Sequence, residues 1–579
     1  MSTHERHDLV IRGGTVADGT GGPLREADVA IDGGVIVDVG RVTRAGLEEI
    51  DAAGLLVTPG FVDVHTHYDG QAVWDDRMTP SSWHGVTTAV MGNCGVGFAP
   101  CRPDDHDTLV RLMEGVEDIP GVVLAEGLPW TWETFEEYLD AVEARPHDID
   151  VAAQLPHGAL RVYVMGQRGA DREPATADDI VAMARIARAA VDAGALGFST
   201  SRTLNHRSSD GAPTPSLTAG EDELTGIAEA LGAAGRGVLQ VVSDFTDPEA
   251  ETAMLRRIVE RSGRPLSVSL AQNDRFPEAW RGLLAWIDGA VSDGLEVRAQ
   301  VAGRPVGLML GLDATLNPFV GCPSFREIAA LPLAERVARW RTSAFRERIL
   351  AEEPGGGHFA SGVLRRFDKM FLLGDPPDYE QPPERSIAAR AQREGVAPAE
   401  LAYELLAEND GRNLLYLPFL NYAQFSLDPS YEMLSNPNTI PGLGDGGAHL
   451  GTICDASFTT HLISHWTRDR TRGDRIPVET AVRWHTHDTA ATLGLYDRGV
   501  LAPGYKADLN VIDLDALTIR PPRMVRDLPA GGRRLVQDAE GYRATVVSGA
   551  VTYRDGEPTG ALPGRLVRGA RPAPADGGR

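Results

Sequence analysis

Two histidines follow a short apolar segment near residue 60 and are the first candidates for chemistry in this chain. His65 and His67 directly follow residues 61–64, whose composition predicts a buried strand. Successive side chains on a strand point to opposite faces, so side chains two residues apart share a face. Two imidazoles brought together at a strand end are a metal-ligand arrangement. The spacing therefore predicts a metal site at the end of this strand.

Four motifs surround or follow these histidines: GFVDVHTH at 60–67, HGVTTAVMGNCG at 84–95, PHGALRVYVMG at 156–166 and GDGGAH at 444–449. Together they resemble the amidohydrolase superfamily of metal-dependent hydrolases. Within it they are similar to the branch that contains the N-acyl-D-amino-acid deacylases, or D-aminoacylases. The resemblance extends from residue 8 to about residue 555.

This resemblance implies roles for two further residues. Asp445, among glycines at the end of a predicted strand, would bind the metal and pass a proton from the attacking water to the leaving nitrogen. Cys94 would be a zinc ligand, although a small buried thiol is the alternative. His65, His67 and Asp445 alone leave a coordination position open, the pattern of a catalytic site. We expect one divalent metal ion per chain, of which zinc is the best candidate.

The chain departs from this family at two strand ends. D-aminoacylases carry histidines at the ends of the fifth and sixth barrel strands, whereas Val242 and Leu270 stand there in this sequence. Asp244 and Gln272 are the nearest polar side chains. Carboxylated lysine, the bridging ligand of other branches, is also excluded, because the two lysines, at 369 and 506, lie on no predicted core strand. These losses are the reason for expecting a single metal.

Other polar residues are candidates for contact with the substrate. His157 follows the third predicted strand and is a second catalytic candidate; His206 and His449 are predicted to bind substrate. Each lone histidine has a structural role as its alternative. Arg304 follows the seventh strand, and its guanidinium could bind a substrate carboxylate. A surface arginine in a turn is the other interpretation.

Strands alternate with helices from residue 60 to about 490, which predicts an α/β fold with parallel strands. Eight strand–helix units favour a (β/α)₈ barrel over an open sheet, with its chemistry at the carboxyl ends of the strands. The predicted strands are 61–64, 87–91, 150–154, 195–199, 238–242, 266–270, 295–301 and 440–444.

Both chain ends show the alternating pattern of β structure. We expect residues 1–59 and 495–562 to form one discontinuous β-sandwich domain around the barrel, 60–494. An insert at about 305–435 should partly cover the barrel mouth. The composition of 563–579 predicts a disordered tail.

Bulk composition excludes some functions. The net charge of −26 disfavours binding to nucleic acid or to an anionic membrane surface. Four dispersed cysteines and the lack of a signal segment or membrane span indicate a cytoplasmic protein. Assembly into a homo-oligomer stays an open alternative.

These observations predict hydrolysis of a non-peptide carbon–nitrogen bond, with an acylated amino acid or related amide as substrate. Two alternatives stay open. One is hydrolysis of a cyclic amide or imide, or deamination of a ring, on the same scaffold. The other is a degenerate member that binds a ligand without turning it over, since two metal-binding histidines are missing.

Overall fold

The computed structural model describes residues 6–355, 359 and 361–575. Eight parallel strands with helical crossovers form a TIM-like barrel, which confirms the predicted fold class. Each strand overlaps the segment predicted from sequence. In chain order they are Phe61–Asp63, Val86–Met91, Asp150–Pro156, Gly197–Arg202, Val238–Ser243, Leu266–Ser269, Val297–Val301 and Thr439–Pro441.

The barrel closes just beyond the ends of its first and eighth strands. Thr66 forms a parallel bridge with Gly446. The amide of His67 donates to the carbonyl of Gly446 at 2.7 Å, and the amide of Asp445 donates to the carbonyl of His65 at 3.0 Å. This closure seam brings residues 65–67 against residues 445–446. It lies at the carboxyl ends of the strands, where barrel active sites form.

Helices cover the outside of the barrel. The principal ones are His106–Val116, Gly121–Gly127, Phe135–Glu143, His157–Met165, Ala177–Ala193, Glu221–Ala234, Pro248–Ser262, Ala279–Ser292, Phe458–Ser464 and Val478–Arg483. Thr176 caps its helix with Asp179 in a capping box, as the sequence predicts. Among the described residues, no helix is long and apolar enough to cross a membrane.

Strands from both chain ends form a β domain built on one nine-stranded mixed sheet. Leu56–Pro59 and Leu509–Ile512 are antiparallel neighbours in it and join the two ends of the chain. The other strands are His7–Val16, Arg25–Asp32, Val35–Gly40, Gly46–Asp51, Tyr542–Val547, Ala550–Arg554 and Glu557–Pro558.

The insert after the seventh barrel strand has its own apolar core. Its strands Val306–Gly311 and Leu414–Leu420 pair antiparallel. Its helices are Pro323–Ile328, Leu333–Trp340, Ser343–Leu350, Ile387–Glu394 and Pro398–Leu406. Met309 and Thr315 donate backbone hydrogen bonds to the loop after the eighth strand. These bonds hold the insert on the side of the barrel that carries the strand ends.

The C-terminal segment corrects a prediction. We expected 563–579 to be disordered, but the described part of it, up to residue 575, pairs with the barrel. Val151 donates to the carbonyl of Arg565, and Val567 donates to that of Val151. The third strand pairs there with the second strand, but its edge toward the fourth strand is unpaired, because that register begins only at Gln154. The segment fills this gap; residues 576–579 lie outside the described residues.

Leu566 tests the contribution of this C-terminal segment to stability. Its side chain is 4% exposed in the main core. Leu566→Ala should lower the free energy of unfolding by about 2–5 kcal/mol, the usual cost of a buried leucine cavity. Denaturant titration followed by circular dichroism measures the change. Leu47→Ala removes a leucine that is 71% exposed and should change it by less than about 0.5 kcal/mol. Equal effects would show that the segment does not stabilise the fold.

Candidate metal centre and active site

Four potential ligand atoms meet at the closure seam. The group of His65, His67 and Cys94 has its ligand atoms within 4.8 Å of one another. Asp445 Oδ1 lies 3.4 Å from His65 Nε2 and 3.6 Å from His67 Nε2. His65 Nε2 lies 3.2 Å from Cys94 Sγ. All the metal ligands predicted from sequence are therefore together.

Local backbone structure explains the positions of the histidines and Asp445. Val62 and Val64 pack outward with Leu493, so the alternation of the strand turns Asp63 and His65 inward. Asp445 has a φ of 47°, in the left-handed region that aspartate tolerates better than most residues.

The next glycine allows the seam to close. A Cβ on Gly446 would lie 2.5 Å from Ser81 Oγ and 2.7 Å from Tyr68 Oη. The glycines around Asp445 thus reflect the close approach of the first and eighth strands.

Polar side chains inside the barrel hold the loop that carries Cys94. The amide of Cys94 donates to Gln240 Oε1 at 3.0 Å, and that of Gly95 donates to Ser199 Oγ at 2.9 Å. Asn93 is fixed by Gln154, whose amide donates to it at 2.8 Å. These bonds maintain a φ of 55° at Cys94. They point its thiol at the histidines.

The outer ring nitrogens of both histidines face an oxygen, but among the described residues that of His67 makes no hydrogen bond. His65 Nδ1 is 2.6 Å from Gln300 Oε1, and Gln300 in turn donates to Ser267 Oγ at 2.9 Å. His67 Nδ1 is 3.2 Å from Glu117 Oε1. The Gln300 hydrogen bond fixes the tautomer of His65 and leaves its Nε2 free for a metal. At His67 the carboxylate of Glu117 acts through its charge. The sequence analysis missed Gln300 and Glu117; an inward-facing glutamine on a barrel strand was the available signal for the first.

The spacing between Asp445 and the two imidazoles fits ligands of one ion. Bonds of about 2.0–2.1 Å to nitrogen and oxygen give ligand–ligand distances of about 3.4 Å in a tetrahedron. The two distances from Asp445 to the imidazoles are 3.4 and 3.6 Å. Cys94 groups with the same two imidazoles, whereas Asp445 is not in the group whose ligand atoms all lie within 4.8 Å of one another. Cys94 is thus a candidate ligand beside the imidazoles rather than an isolated thiol. A thiolate, two imidazoles and a carboxylate suit zinc.

Electrostatics favour the ligand forms of Cys94 and Asp445. Burial alone would raise the pKa of the Cys94 thiol, but His65 and His67 outweigh it and lower that pKa. Burial would likewise raise the pKa of Asp445. The hydrogen bond of His67 and the charges of His65 and His449 instead bring the Asp445 pKa far below its ordinary value. Asp445 is therefore anionic at neutral pH, and the Cys94 thiol is shifted toward its thiolate form.

The fifth and sixth strands supply no further ligand to this centre. Leu270 is buried in the core, and Val242 packs against it. Both oxygens of Asp244 accept hydrogen bonds from the loop after the fourth strand, at Thr203 and Leu204. Gln272 is engaged by residues 421–424. The polar side chains nearest to these strand ends thus fix loops.

His206 and His449 lie beside the metal centre. His206 Nδ1 is 3.0 Å from Ser201 Oγ. Burial, with the charges of His449 and His67, lowers the pKa of His206 to about 3, so its ring is neutral. The side chains of His449 and Asp445 are 21% and 17% exposed, whereas those of His65 and His67 are at most 2% exposed. The open side of the centre is the side of Asp445 and His449.

His157 does not have the catalytic role predicted for it. Its Nδ1 is 2.8 Å from Thr200 Oγ1 and its Nε2 is 2.8 Å from Glu223 Oε1. The side chain is fully buried, and burial lowers its pKa despite Glu223. With both ring nitrogens engaged, His157 has none for a substrate. It joins the third and fourth strands to the helix that contains Glu223.

Arg304 does not overhang the mouth, contrary to the sequence prediction. It is 1% exposed and donates to Asp455 Oδ1 at 2.9 Å and to the carbonyl of Cys454. Its guanidinium lies 4.1 Å from the ring centre of Tyr379. An arginine with these partners is a structural cation, unable to bind a carboxylate at the mouth. Sequence could not reveal Asp455 as its partner, since 151 residues separate them.

Comparison with known proteins identifies the family. The model described as "Amidohydrolase family" matches residues 48–553. The chain belongs to the amidohydrolase family. It is therefore a hydrolase of carbon–nitrogen bonds other than peptide bonds, of the D-aminoacylase-like branch.

Individual relatives cover nearly the whole chain. It is 28% identical to the D-aminoacylase of Alcaligenes xylosoxydans xylosoxydans over 98% of this chain and 99% of that one. It is 28% identical to the N-acyl-D-aspartate deacylase of the same organism over 97% and 95%. A crystal structure of D-aminoacylase has 25% identity and a TM-score of 0.64, with 98% of this chain and 100% of that one covered. Another D-aminoacylase structure, with the same similarity, is described as having a binuclear metal centre with one-metal activation and second-metal attenuation.

The placement of Cys94 leads to a prediction about metal binding. Cys94→Ala should weaken zinc binding at least tenfold, because it removes one of four converging ligands. Competition with a chromophoric chelator measures the affinity. Cys101→Ala is the matched control: Cys101 is also buried, but burial raises its pKa to about 12 and it is outside the ligand group. Unchanged affinity in Cys94→Ala would remove the thiol from the centre.

Proposed function

We propose that this protein is an N-acyl-D-amino-acid deacylase-like enzyme that hydrolyses the amide of an acylated amino acid with one bound zinc ion. The observation that carries the proposal is the convergence of His65, His67, Cys94 and Asp445 at one seam, open only on the side of Asp445. The relatives named D-aminoacylase, N-acyl-D-aspartate deacylase and N-acyl-D-glutamate deacylase, each aligned over nearly the whole chain, support this substrate class.

Zinc in such a site supplies Lewis acidity and lowers the pKa of water. The side chains of this protein hold the metal and move the proton. His65 and His67 would hold the metal through Nε2, with Gln300 and Glu117 beside their outer nitrogens. Their low exposure excludes bulk water from that side.

Asp445 is the proton carrier in this proposal. Its carboxylate is anionic and partly exposed, so it can accept a proton from the attacking water. An amide nitrogen leaves readily only once it is protonated, and the same carboxyl group can deliver that proton. The low pKa of Asp445 makes it a weak base but a strong proton donor in the second step.

His449 and His206 are the proposed substrate-binding groups. His449 lies on the open side with Asp445, and the neutral ring of His206 is held by Ser201. Imidazole N–H groups at these positions can donate to the carbonyl or carboxylate oxygens of an acylated amino acid.

The proposal is tested with Asp445→Asn. Asparagine has nearly the same shape but cannot accept the proton, so kcat should fall by about 10²–10⁴-fold. Release of free amino acid is measured on N-acetyl-D-amino acids, their L-enantiomers and cyclic imides.

Asp455→Asn is the control for folding. It changes a buried carboxylate that pairs with Arg304. It should therefore lower the free energy of unfolding while the folded protein keeps a kcat close to the native value. Full activity of Asp445→Asn would exclude Asp445 as the proton carrier. Turnover of cyclic imides alone would exclude the deacylase assignment and retain the family chemistry.

A further inference from the structure

Glu117 is a buried carboxylate at an electrostatically unfavourable position. It follows the helix His106–Val116, where the helix dipole places partial negative charge. Its side chain is 1% exposed. In the described part of the chain its ion-pair contacts are to two histidines, with neither arginine nor lysine among them. A buried carboxylate in this setting requires a strong compensating partner.

The first partner is His67, a ligand of the centre. Glu117 Oε1 is 3.2 Å from His67 Nδ1, an ion-pair contact without hydrogen-bond geometry. The other imidazole, His65, has an uncharged amide oxygen of Gln300 at the equivalent nitrogen. A carboxylate makes the opposite ring nitrogen a stronger metal ligand than an amide does. The outer nitrogens of the two imidazoles therefore face different groups. His67 faces a charged carboxylate and His65 faces a neutral amide.

The second partner is His449, on the open side of the centre. Glu117 Oε2 is 3.9 Å from His449 Nε2. This oxygen is buried and has no hydrogen-bond partner among the described residues. The backbone ties the same two segments together, because the amide of Leu450 donates to the carbonyl of Glu117 at 3.3 Å. One oxygen of Glu117 thus faces the candidate ligand His67, and the other faces His449 on the open side of the centre.

We propose that Glu117 is a positioning residue shared by the metal centre and the mouth. It holds His67 with Nε2 toward the metal, and it holds His449 on the open side beside Asp445. The proposal rests on the proposed function for the presence of a metal at His65, His67, Cys94 and Asp445. It adds a physical coupling between metal binding and the side chain that faces the substrate.

The first test measures zinc affinity, which does not depend on knowing the substrate. Glu117→Gln keeps the size and an amide oxygen but removes the charge, so it should weaken zinc binding about 10–100-fold. Glu117→Asp, which restores the charge on a shorter arm, should recover part of the affinity. Glu223→Gln is the matched control: it removes an equally buried carboxylate paired with His157 and should leave zinc affinity unchanged.

Thermal unfolding of the metal-free proteins distinguishes this result from misfolding. Metal-free Glu117→Gln should unfold cooperatively and lose no more stability than metal-free Glu223→Gln, because both changes remove one partner of a buried carboxylate–histidine pair. Native zinc affinity in Glu117→Gln would overturn the proposal. A loss shared with Glu223→Gln would also overturn it, since the effect would then be one of general packing.

The second test measures coupling to His449. His449→Asn should tighten zinc binding severalfold in the native background. Without His449, the charge of Glu117 acts on His67 alone. The same change should have no effect in Glu117→Gln. Non-additivity in this double-mutant cycle is the signature of a shared carboxylate. Additive effects would exclude the coupling. Zinc bound normally without any hydrolysis would contradict the proposed function and leave both tests of Glu117 valid.

Discussion

Closure of the barrel between its first and eighth strands is the constraint on which the site depends. The two hydrogen bonds that join residues 65–67 to residues 445–446 also set the distances between Asp445 and the imidazoles. A barrel open at this seam would separate the carboxylate from the histidines. The apolar side chains that pack the outside of the barrel thus contribute directly to the chemistry inside it.

Support for the centre comes from polar residues that point into the barrel. Gln240, Ser199 and Gln154 hold the loop of Cys94, and Gln300 orients His65. Buried polar side chains are costly unless they are hydrogen-bonded. Within the barrel their hydrogen bonds serve to fix the ligand atoms. This frame is built on strands, the most rigid part of the fold.

Sequence was sufficient for the fold and for predicting which candidate ligands lie close together. Alternation places His65 and His67 together, and the strand–helix repeat places Asp445 near them at the same barrel end. The sequence-based predictions were wrong for Arg304 and His157. Their partners, Asp455 and Glu223, are distant in sequence, so only the folded structure shows that both side chains are already hydrogen-bonded. Glu117 was missed for a similar reason: nothing local distinguishes a glutamate at the end of an amphipathic helix from a solvated one. Of the six candidate site residues beyond the histidine pair, four remain proposals about chemistry, namely Cys94, Asp445, His206 and His449.

The central claim is that the seam forms a single-metal centre, since the fifth and sixth strands end in Val242 and Leu270. The most direct measurement is the metal content of zinc-saturated protein after removal of free zinc, combined with anomalous scattering at the zinc edge. The account predicts one equivalent per chain, located among His65, His67, Cys94 and Asp445. Two equivalents, with a second ion between Cys94 and the ends of the fifth and sixth strands, would contradict it.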